Sequence, residues 1–303
     1  MKANIFFQLL SLDKNSTIYN EFKNDFTYHS SRIEGSTITS QQNSTLISNH
    51  EYKKVLLKTV DEKYVIENFN LITAFEYVVD NYAKPLNSAF IKKLHKILHT
   101  NSPDLKHKNE KAGEYRNKDV IVGTHVGARP QYISSLINKL IDTSTKYMSI
   151  YDVAAFHCEY ETIHPFYDGN GRTGRLIVLK QCLANNIIPF FVDDYSKQKY
   201  YFGFKYYQTK NNNASAMTDY FIERQEAFMN KYSGHTSLTP LSTIEKKIVN
   251  YIKINGQISR LQAEKITKLS TRTVKTIMMT LQNKNVIKKS GLARSSVYIL
   301  KTH

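Results

Sequence analysis

The chain has 303 residues, of which 41% are apolar, and its 42 Lys and Arg against 26 Asp and Glu give a net charge of +16. This length and apolar content are sufficient for two domains with buried cores, or for three. Apolar runs such as 187–192 (IIPFFV) are too short to cross a bilayer, and Gln8 interrupts a short N-terminal apolar run. The sequence therefore predicts a cytoplasmic protein without a membrane segment or signal peptide.

The positive charge is concentrated near the C-terminus. Residues 240–303 contain 13 Lys and Arg but only two carboxylates, Glu245 and Glu264, which gives a net +11 and leaves +5 for residues 1–239. The two cysteines, Cys158 and Cys182, lack C-x-x-C spacing and lie in apolar patterns, so buried thiols are expected rather than a disulfide or metal site. The excess charge therefore belongs to a C-terminal domain.

The first predicted element is a helix over 16–34, whose apolar stripe is Ile18, Phe22 and Phe26 and which Gly35 would end. Glu34 then lies at the helix C-terminus, where the helix dipole disfavours a carboxylate, so another group must hold it. A capping box of Ser31 with Glu34 that begins a helix is the alternative. The β-branched and polar run 36–45 (STITSQQNST) makes that helix unfavourable.

Two further helices are predicted over 64–82 and 90–100, separated at Pro85. His95 and His99 in the second have i, i+4 spacing that could hold a metal, but without a neighbouring carboxylate or cysteine we expect packing or solvated histidines. Residues 119–126, with glycines at 123 and 127, indicate a short hairpin.

Helices are next expected over 134–147 and 151–163, and then in the tyrosine-rich stretch 197–228. His157 lies on the apolar side of its helix, so a hydrogen-bonded core residue is expected. The polar stretch 230–240 is typical of a linker. Beyond it, patterns for three helices (243–255, 259–267 and 270–285) precede two strands around a glycine turn within 285–300.

The densest polar chemistry lies in 164–175 (HPFYDGNGRTGR). His164 could be a neutral base at pH 7, and Asp168 offers the hard oxygen that Mg²⁺ accepts beside phosphates. Residues 169–171 (GNG) precede an apolar helix and could direct backbone N–H groups at an anion. Arg172 and Arg175 project on the same side of that helix, close enough to hold successive phosphates. Together they indicate a nucleoside triphosphate with Mg²⁺ beside a general base.

This stretch resembles the signature of the Fic family, H-x-F-x-[DE]-G-N-G-R-x-x-R, at every fixed position. The resemblance implies AMP transfer from ATP to a Ser, Thr or Tyr hydroxyl of a target protein, with His164 as base, Asp168 as Mg²⁺ ligand and Phe166 in the core. Arg172 would steady the phosphates and Arg175 would hold the γ-phosphate. The implied ATP site comprises Asp168, Gly169, Asn170, Gly171, Arg172, Thr173, Gly174, Arg175, Tyr200 and Asn211, the last two near the adenosine.

The family resemblance extends to two other segments. Residues 30–35 (SSRIEG) resemble the inhibitory motif [ST]-x-x-x-E-[GN], which implies that Glu34, with Ser30 opening the motif, pairs with Arg175 and blocks the γ-phosphate. The hairpin resembles the flap that binds the target segment, with its tip at Val122, Gly123, Thr124 and His125. A hairpin that is only a connection is the alternative.

The C-terminal pattern resembles the winged-helix domains of bacterial transcription factors. Its third helix would present Arg272 and Lys275 to DNA, while Lys288, Lys289 and Arg294 would lie on the wing. A protein-docking module of the same fold is the alternative, and the net charge favours DNA.

The resulting fold prediction is mainly α: an all-helical Fic core with a β-hairpin flap, plus a C-terminal α+β winged-helix domain. The predicted boundaries are 1–85 for an N-terminal helical region, 86–229 for the catalytic domain, 230–240 for the linker and 241–303 for the tail domain. The predicted function is an autoinhibited protein adenylyltransferase that uses ATP and Mg²⁺. Two alternatives are AMP removal at the same site and a DNA-binding regulator that senses nucleotide. The target protein, self-modification and a homo-oligomer are left open.

Overall fold

A computed structural model describes residues 14, 16–102, 111–122, 125–144, 147–232, 243–267, 269–283, 286–290 and 296–300. The chain divides into two compact units, Met1–Phe228 and Met229–His303. Residues 1–85 and nearly all of 86–229, which were separate segments in the predicted organisation, fall in the same unit. Among the described helices, none has the length and apolar character needed to cross a bilayer.

Helix α1 (Thr17–Ile33) begins where Ser16 Oγ accepts the Tyr19 N–H and ends before Gly35, whose φ is +90°. The predicted helix end is therefore confirmed, and the alternative in which Ser31 and Glu34 begin a helix is wrong. The expectation for the run after Gly35 is also wrong, because α2 (Ser40–Ser48) forms there. A capping box of Thr39 with Gln42 begins it and compensates for its weak composition.

The short α3 (Tyr52–Leu56) leads to α4 (Glu62–Asn81) and α5 (Ser88–Leu98). Phe75 of α4 packs edge-on against Phe22 of α1, with ring centroids 5.7 Å apart. Burial of one such side chain contributes about 1.5–3 kcal/mol, and aromatic pairing adds about 0.5–1.5 kcal/mol. This core fixes α1, and with it Glu34, relative to the rest of the first unit.

The hairpin of β1 (Ile121–Val122) and β2 (His125–Val126) is antiparallel, as predicted, and pairs Ile121 with Val126. Gly123 and Thr124 of the predicted flap tip lie outside the described residues. Four helices then follow as predicted in kind: α6 (Pro130–Asp142), α7 (Ile150–Ile163), α8 (Asn170–Ala184) and α9 (Lys197–Thr209). Helix α10 (Ser215–Tyr232) is the last before residue 233.

The second unit is α+β. Its described elements are α11 (Thr243–Asn255), β3 (Gln257–Ser259), α12 (Arg260–Thr267), α13 (Thr271–Asn283), β4 (Ile287–Ser290) and β5 (Val297–Leu300). The strands form an antiparallel sheet in the order β3-β5-β4. The three helices and two strands match the predicted elements, while β3 was not predicted. One face of α13 packs into the core of this unit through Val274, Met278 and Leu281.

Candidate active site

The predicted base lies at the end of α7, and the predicted phosphate ligands lie in the turn that follows and in the first two turns of α8. His164 ends α7 in the left-handed conformation, with φ 50°, and its N–H donates to Tyr160 O over 3.0 Å. Gly169, with φ 75°, precedes α8, so a left-handed residue stands at each end of the turn. Asn170 closes the turn, because its side chain accepts the Phe166 N–H over 2.9 Å and donates to Phe166 O over 2.8 Å. Phe166 is fully buried, as the resemblance implies.

The environment of His164 suits a neutral base. Burial, with a smaller contribution from the nearby Arg116, lowers its pKa to about 4, although a hydrogen bond with the backbone of Glu161 partly opposes the shift. Its Nδ1 lies 3.9 Å from Oε2 of Glu161. An imidazole with this pKa is unprotonated at pH 7 and can accept a proton from a hydroxyl.

Asp168 and Arg172 are partners at the start of α8. Asp168 Oδ1 accepts the Gly169 N–H over 2.7 Å, and Oδ2 lies 3.3 Å from Arg172 Nη2. The Asp168 side chain is 37% exposed, whereas that of Arg172 is 3% exposed. The buried guanidinium has a second carboxylate partner, because its Nη1 lies 2.8 Å from Oε2 of Glu67 on α4.

Arg175 is held by the segment that resembles the inhibitory motif. Its Nη2 donates to Glu34 Oε1 over 2.7 Å and to Ser30 O over 3.1 Å, while its Nε donates to Ser30 Oγ over 2.8 Å. Burial opposes the charge on Arg175, but Glu34 and Tyr200 together hold its pKa above the ordinary value. The predicted pair of Glu34 with Arg175 is thus present.

Small residues of the signature make room for these contacts. A Cβ at Gly171 would lie 2.8 Å from Glu34 Oε1, so the carboxylate lies directly against the first turn of α8. A Cβ at Gly174 would meet Oε1 of Glu161 and lie 2.8 Å from His157 Cε1. Thr173 donates its hydroxyl to Gly169 O over 2.8 Å, which tightens the same turn.

Arg116 is a structural contributor to the site that sequence reasoning missed. Its buried guanidinium donates to four backbone carbonyls, with distances of 2.7 Å to His164 O and to Lys118 O. The other two carbonyls are those of Ala128 and Ile163. Arg116 therefore fastens the base of the hairpin to the turn that carries His164. A single arginine in a loop has no periodicity that would have indicated this role.

His95 and His99 lie beneath the turn, as packing residues. His95 Nδ1 accepts the Gly113 N–H over 2.8 Å, so its Nε2 carries the proton and donates to Asp168 O over 3.1 Å. Its ring stacks on Phe166 with centroids 3.8 Å apart. Burial, with a contribution from His99, lowers the pKa of His95 to about 3. The expectation of packing histidines is confirmed, and no cluster of three or more metal-ligating side chains occurs within the described residues.

A cluster of polar side chains lies near Arg175 in the interior of the first unit. His157 Nε2 and the Tyr200 hydroxyl are 2.6 Å apart, and both side chains are buried, so the prediction of a hydrogen-bonded core histidine is confirmed. Burial raises the pKa of Glu161 to about 8, opposed by Arg175 and assisted by Glu34. Of the residues predicted near the adenosine, Tyr200 is buried beside Arg175. Asn211, with φ 51°, is exposed after the end of α9, and Tyr201 is 49% exposed.

A divalent cation delivered with a nucleotide fits this donor set. Asp168 contributes an exposed, hard carboxylate oxygen at the mouth of the turn, next to the N-terminus of α8 and two arginines. Mg²⁺ in phosphate sites is commonly held by one or two carboxylates, with the remaining ligands supplied by phosphates and water. One exposed carboxylate is therefore adequate for such an ion.

Comparison with known proteins agrees with this geometry. Residues 85–182 match the model of the Fic/DOC family. Over 184 residues the chain is 29% identical to the protein adenylyltransferase Fic of Drosophila willistoni; the match covers 57% of this chain and 34% of the relative. The chain thus spans about a third of the length of that curated relative.

Two solved structures share the fold. A Fic domain containing signaling protein from Bacteroides thetaiotaomicron is 20% identical with a TM-score of 0.61, over 76% of this chain and 94% of that one. A Fic family protein from Desulfovibrio desulfuricans is 18% identical with a TM-score of 0.56, over 99% of this chain and 94% of that one.

Proposed function

We propose that the chain, whose residues 85–182 match the Fic/DOC family model, is a protein adenylyltransferase that transfers AMP from ATP to a side-chain hydroxyl of a target protein. The observation that carries the proposal is the neutral, partly buried His164 near the partly exposed Asp168 and the N-terminus of α8. A sensor of nucleotide would not need a base in this position.

The reaction is an attack of the target hydroxyl on the α-phosphorus of ATP. The new O–P bond forms as the bond from the α-phosphorus to the bridging oxygen breaks, pyrophosphate leaves, and the hydroxyl proton passes to His164. Asp168 would hold Mg²⁺, which supplies charge neutralisation to the α- and β-phosphates. N–H groups at residues 169–171 and the guanidinium of Arg172 stabilise the phosphate oxygens around the broken bond.

Autoinhibition is part of this proposal. Glu34 and Ser30 occupy the Nε and Nη2 donors of Arg175, the arginine that would otherwise hold the γ-phosphate. ATP bound without that contact would have its α-phosphorus misaligned for attack, so the loss appears in rate more than in affinity. The position of Glu34 against Gly171 also suits activation of a water, which makes AMP removal the alternative reaction of the same site.

The test is transfer of label from ATP that carries it on the α-phosphate, with purified protein and cell lysate. His164→Ala is expected to lower transfer by about 10²–10⁴-fold and to leave ATP binding intact, because the base acts on the attacking hydroxyl. Undiminished transfer by folded His164→Ala protein would contradict the assignment. Release of AMP from pre-labelled protein, dependent on Glu34, would favour the alternative.

For the second unit we propose binding to duplex DNA. Arg272 and Lys275 are exposed on α13, and Lys288 and Lys289 are exposed on β4. The two carboxylates of this region are withdrawn from the surface: Glu245 is 6% exposed, and Glu264 pairs with Arg260 at 3.3 Å. The exposed side-chain charge of its described residues is therefore positive. A helix fits the major groove of B-form DNA, whereas that of A-form RNA is too narrow.

The measurement is fluorescence anisotropy of labelled duplex with the full chain, over a range of salt. Arg272→Ala with Lys275→Ala is expected to weaken binding and to lower the salt slope by about 2. The matched control is Lys58→Ala with Lys93→Ala, which removes two exposed charges of the first unit. Absence of binding by the folded chain at low salt would favour the protein-docking alternative, and equal effects of both pairs would exclude α13 as the contact.

A further inference from the structure

Arg172 contacts two carboxylates that come from different parts of the chain. Glu67 lies on α4, far from the signature in sequence, and its Oε2 is 2.8 Å from Arg172 Nη1. Asp168, four residues before Arg172, has its Oδ2 at the longer distance of 3.3 Å from Nη2. The shorter contact is thus made by the residue outside the signature.

Glu67 is held firmly where it is. It lies in the middle of α4 and is 8% exposed, and its neighbours on the same turn are anchored as well. Asn68 accepts the Ser31 hydroxyl over 2.5 Å, and Asn70 donates to Leu98 O over 3.0 Å. Glu34 differs, because it follows the last residue of α1 and its side chain is 34% exposed. The Glu34 carboxylate is therefore accessible to solvent beside Arg175, whereas the Glu67 carboxylate is enclosed beside Arg172.

The two carboxylates compete for one buried cation. Opposite charges attract strongly in the protein interior, and an unpaired buried charge is costly. A buried guanidinium that loses one carboxylate partner is therefore expected to move closer to another nearby carboxylate. For Arg172 that carboxylate is Asp168, which the proposed function assigns to Mg²⁺. A closer contact with Arg172 would occupy the oxygen that the metal needs.

We propose that Glu67 is a positioning residue that shares the Arg172 guanidinium with Asp168, limits how closely Arg172 contacts Asp168, and thereby keeps the Asp168 carboxylate available to the divalent cation that accompanies ATP. This inference rests on the proposed function and adds a residue to it. Residues that orient a metal ligand commonly change metal affinity by about 10- to 100-fold when they are replaced. The expected consequence of losing the Glu67 charge is therefore a weaker coupling between metal and nucleotide.

The coupling is measured as a ratio of two dissociation constants. Isothermal titration calorimetry gives the Kd of α,β-methylene ATP in EDTA and in saturating Mg²⁺, and the first divided by the second is the coupling ratio. All variants carry Glu34→Gly as well, which removes the carboxylate that occupies Arg175. Glu67→Gln is expected to lower the ratio about tenfold or more. The matched control is Glu62→Gln, which removes an exposed carboxylate from the first turn of α4.

A second substitution separates positioning from a general loss of structure. In Glu67→Gln with Arg172→Gln the guanidinium that contacts Asp168 is removed, so the coupling ratio is expected to recover although the nucleotide binds more weakly. If Glu67→Gln does not fold, Glu67→Asp, which withdraws the carboxylate by one methylene, is expected to shift the ratio in the same direction by less.

Two outcomes are decisive. An unchanged ratio in Glu67→Gln, or in Glu67→Asp where that variant is used, overturns the inference. Equal weakening of nucleotide binding in EDTA and in Mg²⁺ is one form of this unchanged ratio, because Glu67 would then act only on the phosphate contact of Arg172. A ratio of one in the protein with Glu67 intact contradicts the assignment of Asp168 to the metal, so failure of the proposed function is seen separately.

Discussion

Replacement of Glu34 tests the proposed autoinhibition directly. Glu34→Gly removes the carboxylate from Arg175 and retains the backbone N–H that donates to Ser31 O over 3.1 Å at the end of α1. Arg175 keeps its contacts with Ser30, but the donor directed at Glu34 becomes available to the γ-phosphate. AMP transfer is expected to rise.

The size of the rise follows from the ion pair. A hydrogen bond between charged groups contributes about 1.5–3 kcal/mol when buried. Arg175 is 3% exposed but the Glu34 side chain is 34% exposed, so solvent screening reduces this to about 1–2 kcal/mol. Since about 1.4 kcal/mol corresponds to a factor of ten, transfer is expected to increase about 5- to 30-fold.

The assay is the initial rate of transfer of α-phosphate label to the protein itself and to lysate proteins. Glu34→Gln is the matched variant, because its neutral amide preserves the length of the side chain without the flexibility that glycine adds; an intermediate rate is expected. Glu62→Gln, which removes an exposed carboxylate of α4, should transfer at the rate of the parent. Equal rates for parent, Glu34→Gln and Glu34→Gly, with ATP bound in each, would show that residues 30–35 only end a helix.

Two related variants are expected to differ from Glu34→Gly. Arg175→Ala should leave transfer at or below the parental rate, since it frees the site and also removes the group that holds the γ-phosphate; a rise equal to that of Glu34→Gly would refute the competition. Asn68→Ala removes the acceptor of the Ser31 hydroxyl and a donor to Asn43. It is expected to lower the free energy of unfolding in urea by about 1–3 kcal/mol and to raise transfer a few-fold, and a stability loss with unchanged transfer would mean that Asn68 only supports the fold.

The signature was predictable because its chemistry is local. Residues 164–175 lie in one turn and the helix that follows, so their order in the sequence nearly determines their arrangement in space. Glu34 was also predictable, although 141 residues separate it from Arg175, because a second short motif surrounds it. In both places several residue types at fixed spacing carried the information.

Glu67 and Arg116 lacked such a pattern. Each is a single charged residue whose partners come from another element, and only packing of α4 and the hairpin base against the signature turn gives it a role. A charged residue in a helix or loop is usually solvated, so neither position differs from many others in the sequence. The same holds for β3, whose three residues form a strand only because β5 pairs with them.

The helix over Ser40–Ser48 shows a different limit. Its β-branched and polar composition is unfavourable, yet the capping box at Thr39 satisfies its first donors and Leu46 is fully buried. Tertiary packing and caps provide most of the stability of short helices, so composition alone underestimates them. The two residues of this capping box, Thr39 and Gln42, stand three apart in the sequence, which is the spacing that the motif requires.

Four titratable side chains in and around the candidate site predict how the free energy of unfolding depends on pH. Burial lowers the pKa of His95 and of His157 to about 3 and that of His164 to about 4, and it raises the pKa of Glu161 to about 8. Between about pH 4.5 and 6.5 the unfolded chain binds protons on the three histidines, while the folded chain keeps one on Glu161. The unfolded state then binds two more protons in total, so the free energy of unfolding rises with pH by up to about 2.7 kcal/mol per unit.

Above about pH 6.5 the sign reverses, because the histidines are neutral in both states and only the folded chain retains the Glu161 proton. The free energy of unfolding should fall by up to about 1.4 kcal/mol per pH unit until about pH 8, which places maximum stability near pH 6.5. Urea unfolding at pH 5.0, 6.5 and 8.0 measures both slopes. Glu161→Gln keeps a neutral side chain of the same length and should abolish the fall above pH 6.5. It should also steepen the rise below pH 6.5 to as much as about 4.1 kcal/mol per unit, because the folded chain then binds none of the three protons that the unfolded chain binds. A fall that persists in Glu161→Gln would mean that another group loses its proton in this range and that the carboxyl beside Gly174 is already ionised in the folded protein.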